Sequence, residues 1–181
     1  MLIGLLLVLG LIVLYIWSVY NNLIALKVRV KEAWSQIDVQ LNRRADLIPN
    51  LVKTVKSYAK HEKELFENVT KARSSLLSAA TPVEKAKAEG ELQKVLKSLF
   101  AVAENYPQLR ASETYLQLQK ELSDTEDKVS FARQFYNQIV SDFNAKIQMF
   151  PQMIIAQQMK LTPAEFFKTV EESRKKVTVD L

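Results

Sequence analysis

At 181 residues the chain has room for one domain and an appendage, and its single histidine and lack of cysteine remove disulfides, thiolate nucleophiles and thiolate metal sites together. Twenty-five Lys and Arg against 20 Asp and Glu leave a net charge of +5 and a pI near 9.3, a modest excess that suits an anionic lipid surface at least as well as a nucleic acid. The cations are mixed with acids along the whole sequence, so no concentrated basic face marks a nucleic-acid partner.

The first element is an apolar run. Every residue from Met1 to Trp17 is apolar, and only Ser18 interrupts before Val19 and Tyr20. About 20 residues of helix rise roughly 30 Å, the thickness of a bilayer's hydrocarbon core, so residues 1–20 read as a transmembrane anchor. Tyr15, Trp17 and Tyr20 fall where an interfacial aromatic belt would lie. A cleaved signal peptide is the competing reading, but no basic segment precedes the apolar run and Ser-Val-Tyr-Asn-Asn is a poor cleavage site. The first charges are Lys27, Arg29 and Lys31, a basic flank that the positive-inside rule assigns to the cytoplasm, with the N-terminus outside. Each such cation near an anionic inner leaflet adds about 1 kcal/mol of attraction.

Residues 21–181 read as helical, because only Gly90 remains after residue 10 and Leu, Lys, Glu, Gln and Ala dominate. Helices are expected near 21–78, 82–104, 108–149 and 163–176. In the first, steps of three and four from Val30 reach Trp34, Ile37, Leu41, Arg44, Ile48, Leu51, Val55, Tyr58, Glu62, Leu65, Val69, Ala72 and Leu76, an apolar seam with two charged interruptions. Pro49 lies inside it and predicts a kink at 45–48 rather than an end. Thr81-Pro82-Val83-Glu84 combines a capping box with proline at the first helical position, and the helix it opens carries Ala88, Leu92, Val95, Leu99 and Val102 on one stripe. The third helix has its own seam, from Tyr115, Leu118 and Leu122 to Tyr136, Ile139, Phe143, Lys146 and Phe150. Thr162-Pro163-Ala164-Glu165 repeats the capping arrangement and opens the last helix. The fold class is therefore all-α: an N-terminal transmembrane helix followed by an elongated antiparallel bundle of three to four helices with coiled-coil-like seams.

Asn-Asn-Leu at 21–23, A-W-S-Q-I-D-V-Q-L at 33–41, R-R-x-D-L-I-P-N-L at 43–51, Y-P-Q-L at 106–109, L-Q-K-E-L at 118–122 and A-R-Q-F-Y-N at 132–137 resemble the signature blocks of the LemA family of bacterial membrane proteins. The resemblance implies an N-terminal anchor in the bacterial cytoplasmic (inner) membrane and a helical soluble part. Trp34, Asp38, Arg44, Asp46, Pro49, Asn50, Tyr106, Pro107, Glu126, Arg133, Tyr136 and Asn137 carry over as signature positions with no catalytic role attached. Asp127-Lys128-Val129 departs from the family's usual Asn-Arg-Ile.

No site kit for chemistry emerges. His61-Glu62 lacks the second histidine of a zincin helix, since Leu65 stands there, and a lone histidine cannot supply the two Glu-x-x-His pairs of a di-iron bundle. Arg44 and Glu62 are 18 residues apart, about 27 Å along a straight helix, so each needs its own partner if buried. Glu126, Arg133 and Asn137 are the candidates for Arg44, with Glu126 preferred. Arg44 reads as part of a polar layer that fixes register, as a side chain that snorkels out beside Pro49, or as a functional polar site. Asp38, Arg43, Asp46 and Asn50 read as a solvated flank.

The expectation is a non-enzymatic, single-pass membrane protein with no cofactor, whose cytoplasmic bundle is a scaffold that self-associates into a homo-oligomer and shapes the membrane. The alternative is an adaptor or regulator of a membrane enzyme, a zinc metallopeptidase being the class that the family resemblance suggests.

Overall fold

The computed structural model describes residues 1–168. These contain helices and no strand: α1 (Leu2–Tyr58), α2 (Lys63–Ser78), α3 (Pro82–Glu104), α4 (Pro107–Arg110), α5 (Glu113–Gln148) and α6 (Gln152–Gln158). The 57-residue α1 is about 85 Å long and runs from the apolar segment into the rest of the chain without a break at Asn21-Asn22. Met1 to Trp17 pack against none of the other described elements and are exposed, whereas burial begins at Val19 and Leu23.

Beyond that point α1 packs on α5 and α2, and α2 packs on α3. Cross-helix pairs fix the directions. Trp34 meets Tyr136 and Arg44 meets Glu126, so α5 descends as α1 rises. Arg73 reaches back to Ala45, so α2 also descends, and Asp38–Lys85 with Arg44–Glu89 shows α3 rising beside α1. The core between them is continuous: Ile37, Leu41, Leu51, Val55, Leu92, Leu99 and Val140 are sealed from solvent, and burial of each such side chain stabilises by about 1.5–3 kcal/mol. A second cluster joins Val19 and Leu23 to Phe143, Ile147 and Ala156.

Several expectations need correction. The helix of 21–78 is two helices, α1 and α2, separated by a link at 59–62. Phe66, Val69, Ala72 and Leu76 find an apolar surface only if the chain turns back along α1, and the turn buries Ala59. Glu62 is therefore the N-cap position of α2, half-exposed in the link, and not a charge on a continuous seam. Tyr58 is likewise exposed. The helix of 108–149 begins with the single turn α4 and restarts at Glu113. A short helix, α6, follows the turn at Pro151 and was not foreseen. No helix opens at Thr162: residues 161–168 are non-helical, and the rest of the 163–176 segment lies outside the described residues.

The seams also drift. On α5 the buried set runs Tyr136, Val140, Phe143 and Ile147, leaving Phe150 exposed. A helix of 3.6 residues per turn slips against a strict 3.5 repeat, so over ten turns the inward face moves on by one position. The same slip places Leu96 and Ala103 inside α3 where Val95 and Val102 were expected. The capping box of α3 forms as read: Thr81 Oγ1 accepts from the Glu84 amide and a Glu84 carboxylate oxygen from the Thr81 amide, each at 3.2 Å.

Candidate functional site

Pro49 stands in the middle of α1, and its ring nitrogen cannot donate to the Ala45 carbonyl one turn back. Ala45 is fully buried, so that carbonyl would be stranded. Arg73, from α2, fills the gap: its Nε donates to Ala45 O at 2.8 Å, while a guanidinium nitrogen lies 3.8 Å from the Asp46 carboxylate. Helix α1 therefore continues through the proline because another helix supplies the missing donor. Arg73 was missed from sequence, although it is the one cation near the apolar stripe of α2.

One turn earlier, Arg44 is 4% exposed and lies between two carboxylates. It donates to Glu89 on α3, itself 2% exposed, and at 2.6 Å to Glu126 on α5, whose side chain is half in solvent. Gln93 bonds both acids and joins them into one layer. Burial pushes the Glu89 carboxyl above the usual Glu value, Glu126's charge adds to the rise, and Arg44, with a smaller pull from Arg133, opposes it. Arg44 Nε and Glu89 Oε2 have no partner among the described residues. Below this layer Lys85 of α3, also buried, donates to the half-buried Asp38, which accepts from Asn42 as well. Glu89 and Lys85 were missed too, yet counting back from Leu92 by three and by seven lands on both. Arg43, Asp46 and Asn50 are exposed.

The third group holds residues 161–168 against the α1–α5 groove. Asn144 accepts from the Ala164 amide at 2.7 Å and donates to its carbonyl at 2.9 Å. Asn137 does the same for Phe167, at 2.9 and 3.0 Å. Tyr136 donates its hydroxyl to Glu165 O, and burial raises the phenol's pKa. Phe167 is 1% exposed beside Trp34, with ring centroids 6.3 Å apart, and Trp34 in turn lies 5.7 Å from Tyr136. With two backbone amides already claimed by asparagine carbonyls, the Thr-Pro-x-Glu signal has nothing to nucleate.

The sequence-predicted residues thus divide among three places. Arg44, Glu126 and nearby Arg133 share the ion layer, Asp46 and Pro49 belong to the Arg73 contact, and Trp34, Tyr136 and Asn137 hold the strap formed by residues 161–168. Lys27, Arg29 and Lys31 are exposed on α1, and Lys27 and Lys31 border a cleft with Lys160. Among the described residues no group of three or more His, Asp or Glu could hold a metal.

These features define a class: a helical protein with one helix long and apolar enough to cross a membrane, joined to packed helices with a buried ion pair between them. The chain belongs to the LemA family, whose model matches residues 33–181, a range that begins beyond the apolar segment. It is 28% identical over 158 residues to Protein LemA of Metamycoplasma hominis, covering 85% of this chain and 71% of that protein. It is also 24% identical over 175 residues to the magnetosome proteins MamQ 1 and MamQ 2 of Paramagnetospirillum magneticum, covering 82% of this chain. The matched region spans 64% of the length of each of these MamQ relatives.

Proposed function

We propose that the chain is a single-pass protein of the bacterial cytoplasmic membrane, with residues 1–20 in the bilayer, the N-terminus outside and the helices from residue 21 to α6 forming a non-enzymatic cytoplasmic bundle that assembles with copies of itself. The apolar helix and the relatives named as magnetosome proteins support the membrane setting. The basic flank Lys27, Arg29 and Lys31 supports the orientation.

Self-association rests on a different surface from the seam, which α2, α3, α5 and α6 cover within one chain. A second apolar strip faces outward on the α1–α5 pair. Val39 is 57% exposed and Phe131 73%, at a cleft of about 830 Å³ whose rim carries Glu32, Asp124, Asp127 and Lys128. Protein–protein contacts commonly have a centre enriched in aromatic side chains and a polar rim, and Phe131 within this frame has that arrangement. This strip is the observation that carries the assembly reading, and lateral repetition of it in one leaflet is how such an assembly would bend a membrane.

Mass measurement of the full chain in mild detergent tests the proposal. Oligomers are expected for the native chain and monomers for Phe131→Glu, which changes an exposed position and leaves the core intact. A native monomer at micromolar concentration would refute self-association. A photocrosslinker at Val39 separates the adaptor reading, because a scaffold captures its own chain and an adaptor captures a membrane enzyme.

A further inference from the structure

We propose that the turn between α5 and α6 is a second membrane contact, with Met149, Phe150 and Ile154 seated in the interfacial layer of the bilayer that α1 crosses; this rests on the anchor reading of residues 1–20. Register carries the argument. Trp34–Tyr136 and Arg44–Glu126 are separated by ten residues on each helix, so α1 and α5 stay level, step for step, between these pairs. Continuing the same step downward brings Phe150 level with Tyr20 and Pro151 level with Val19. The turn is thus beside the aromatic belt of Tyr15, Trp17 and Tyr20, at the end of the apolar run.

Val19 and Leu23 are buried against Phe143, Ile147 and Ala156, so the lower end of the packed helices is fixed directly to the point where α1 leaves the bilayer. Its side chains suit lipid. Phe150 is 77% exposed, Met149 55% and Ile154 51%, while Ala156 on the other face of α6 is buried. Residues 147–159 include no charged side chain, in a chain that is 25% charged, and Lys146 and Lys160 bracket the run. An uncharged, partly apolar segment flanked by lysines, at the depth of an aromatic belt, is the pattern of an interfacial anchor. The two anchoring points would fix the tilt of the helices against the membrane surface.

Because the chain lacks cysteine, single cysteines can be labelled without other changes. Phe150→Cys, Ile154→Cys, Trp17→Cys and Phe131→Cys are each made in the full chain, tagged with an environment-sensitive fluorophore and reconstituted into phosphatidylcholine–phosphatidylglycerol vesicles with a nitroxide lipid quencher placed near the headgroups. Phe131 is on α5 about 28 Å above the turn and serves as the control for depth alone, since replacing it is expected to break self-association. The proposal expects labels at 150 and 154 to be quenched at least half as strongly as the label at 17, with 131 unquenched. Labels at 150 and 154 that behave like 131 while 17 is quenched would overturn the second contact and leave the anchor standing. A label at 150 that is shielded from water yet indifferent to the lipid quencher would assign the turn to a second copy and overturn it equally. Absence of quenching at 17 would overturn both readings.

Discussion

The bond from Arg73 to the Ala45 carbonyl makes a prediction that depends on Pro49. Arg73→Leu keeps an aliphatic stem against α1 but removes the donor to a buried carbonyl, which costs about 1–3 kcal/mol. The Asp46 contact adds less than about 1 kcal/mol, because its carboxylate is three-quarters exposed and 3.8 Å away. In a Pro49→Ala background the amide of residue 49 can donate to Ala45 O as in any helix, so Arg73→Leu should cost only the Asp46 share. The two substitutions are therefore coupled by about 1–3 kcal/mol, with Pro49→Ala alone neutral or stabilising by up to about 3 kcal/mol. Denaturant unfolding of all four proteins in mild detergent, followed by far-ultraviolet circular dichroism, measures the cycle. Equal costs for Arg73→Leu in the two backgrounds would refute the account of how α1 passes its proline.

In the same assay Arg44→Met should cost about 3–5 kcal/mol, since it leaves Glu89 buried without its cation. Arg44→Met with Glu89→Leu should recover most of that loss, and Glu126→Gln, at a half-exposed site, should stay within about 1 kcal/mol. The Glu89 carboxyl titrates above its ordinary value of 4.5, so the folded chain holds that proton more tightly than the unfolded one. Its contribution favours folding below pH 4.5 and is lost as pH rises through the raised value; unfolding measured across that window should show Glu89→Gln removing this fall. Phe167→Ala should cost the strap about 3–5 kcal/mol of docking, and trypsin should then cut sooner at Lys160 and Lys168 while α1 and α5 stay intact.

What the sequence made legible follows from periodicity. Leu41, Leu51, Val55, Leu122 and Val129 recur on a helical face, and their burial needs no knowledge of the partner. Arg44 stood out as a charge on that face, and the acid facing it on α5 could be selected by type and position. Glu89 and Lys85 escaped because charges on a short, alanine-rich helix resemble a solvated flank until the opposing helix is known. The break at 59–62 has no glycine or proline to announce it; it comes from the need to bury Phe66 and Val69 against α1, which is a tertiary demand. The failed cap at Thr162 shows the converse. A correct local signal lost to Asn137 and Asn144, about 20 to 30 residues away, which claim the amides of Ala164 and Phe167 first.

The most direct test of the membrane account is protease accessibility in native membranes. The proposal predicts that trypsin added to inverted inner-membrane vesicles removes the chain from Lys27 onward, that the same region survives in intact spheroplasts, and that the apolar fragment stays in the bilayer after alkaline extraction. Digestion in spheroplasts, or release of the whole chain by alkaline extraction, would contradict it.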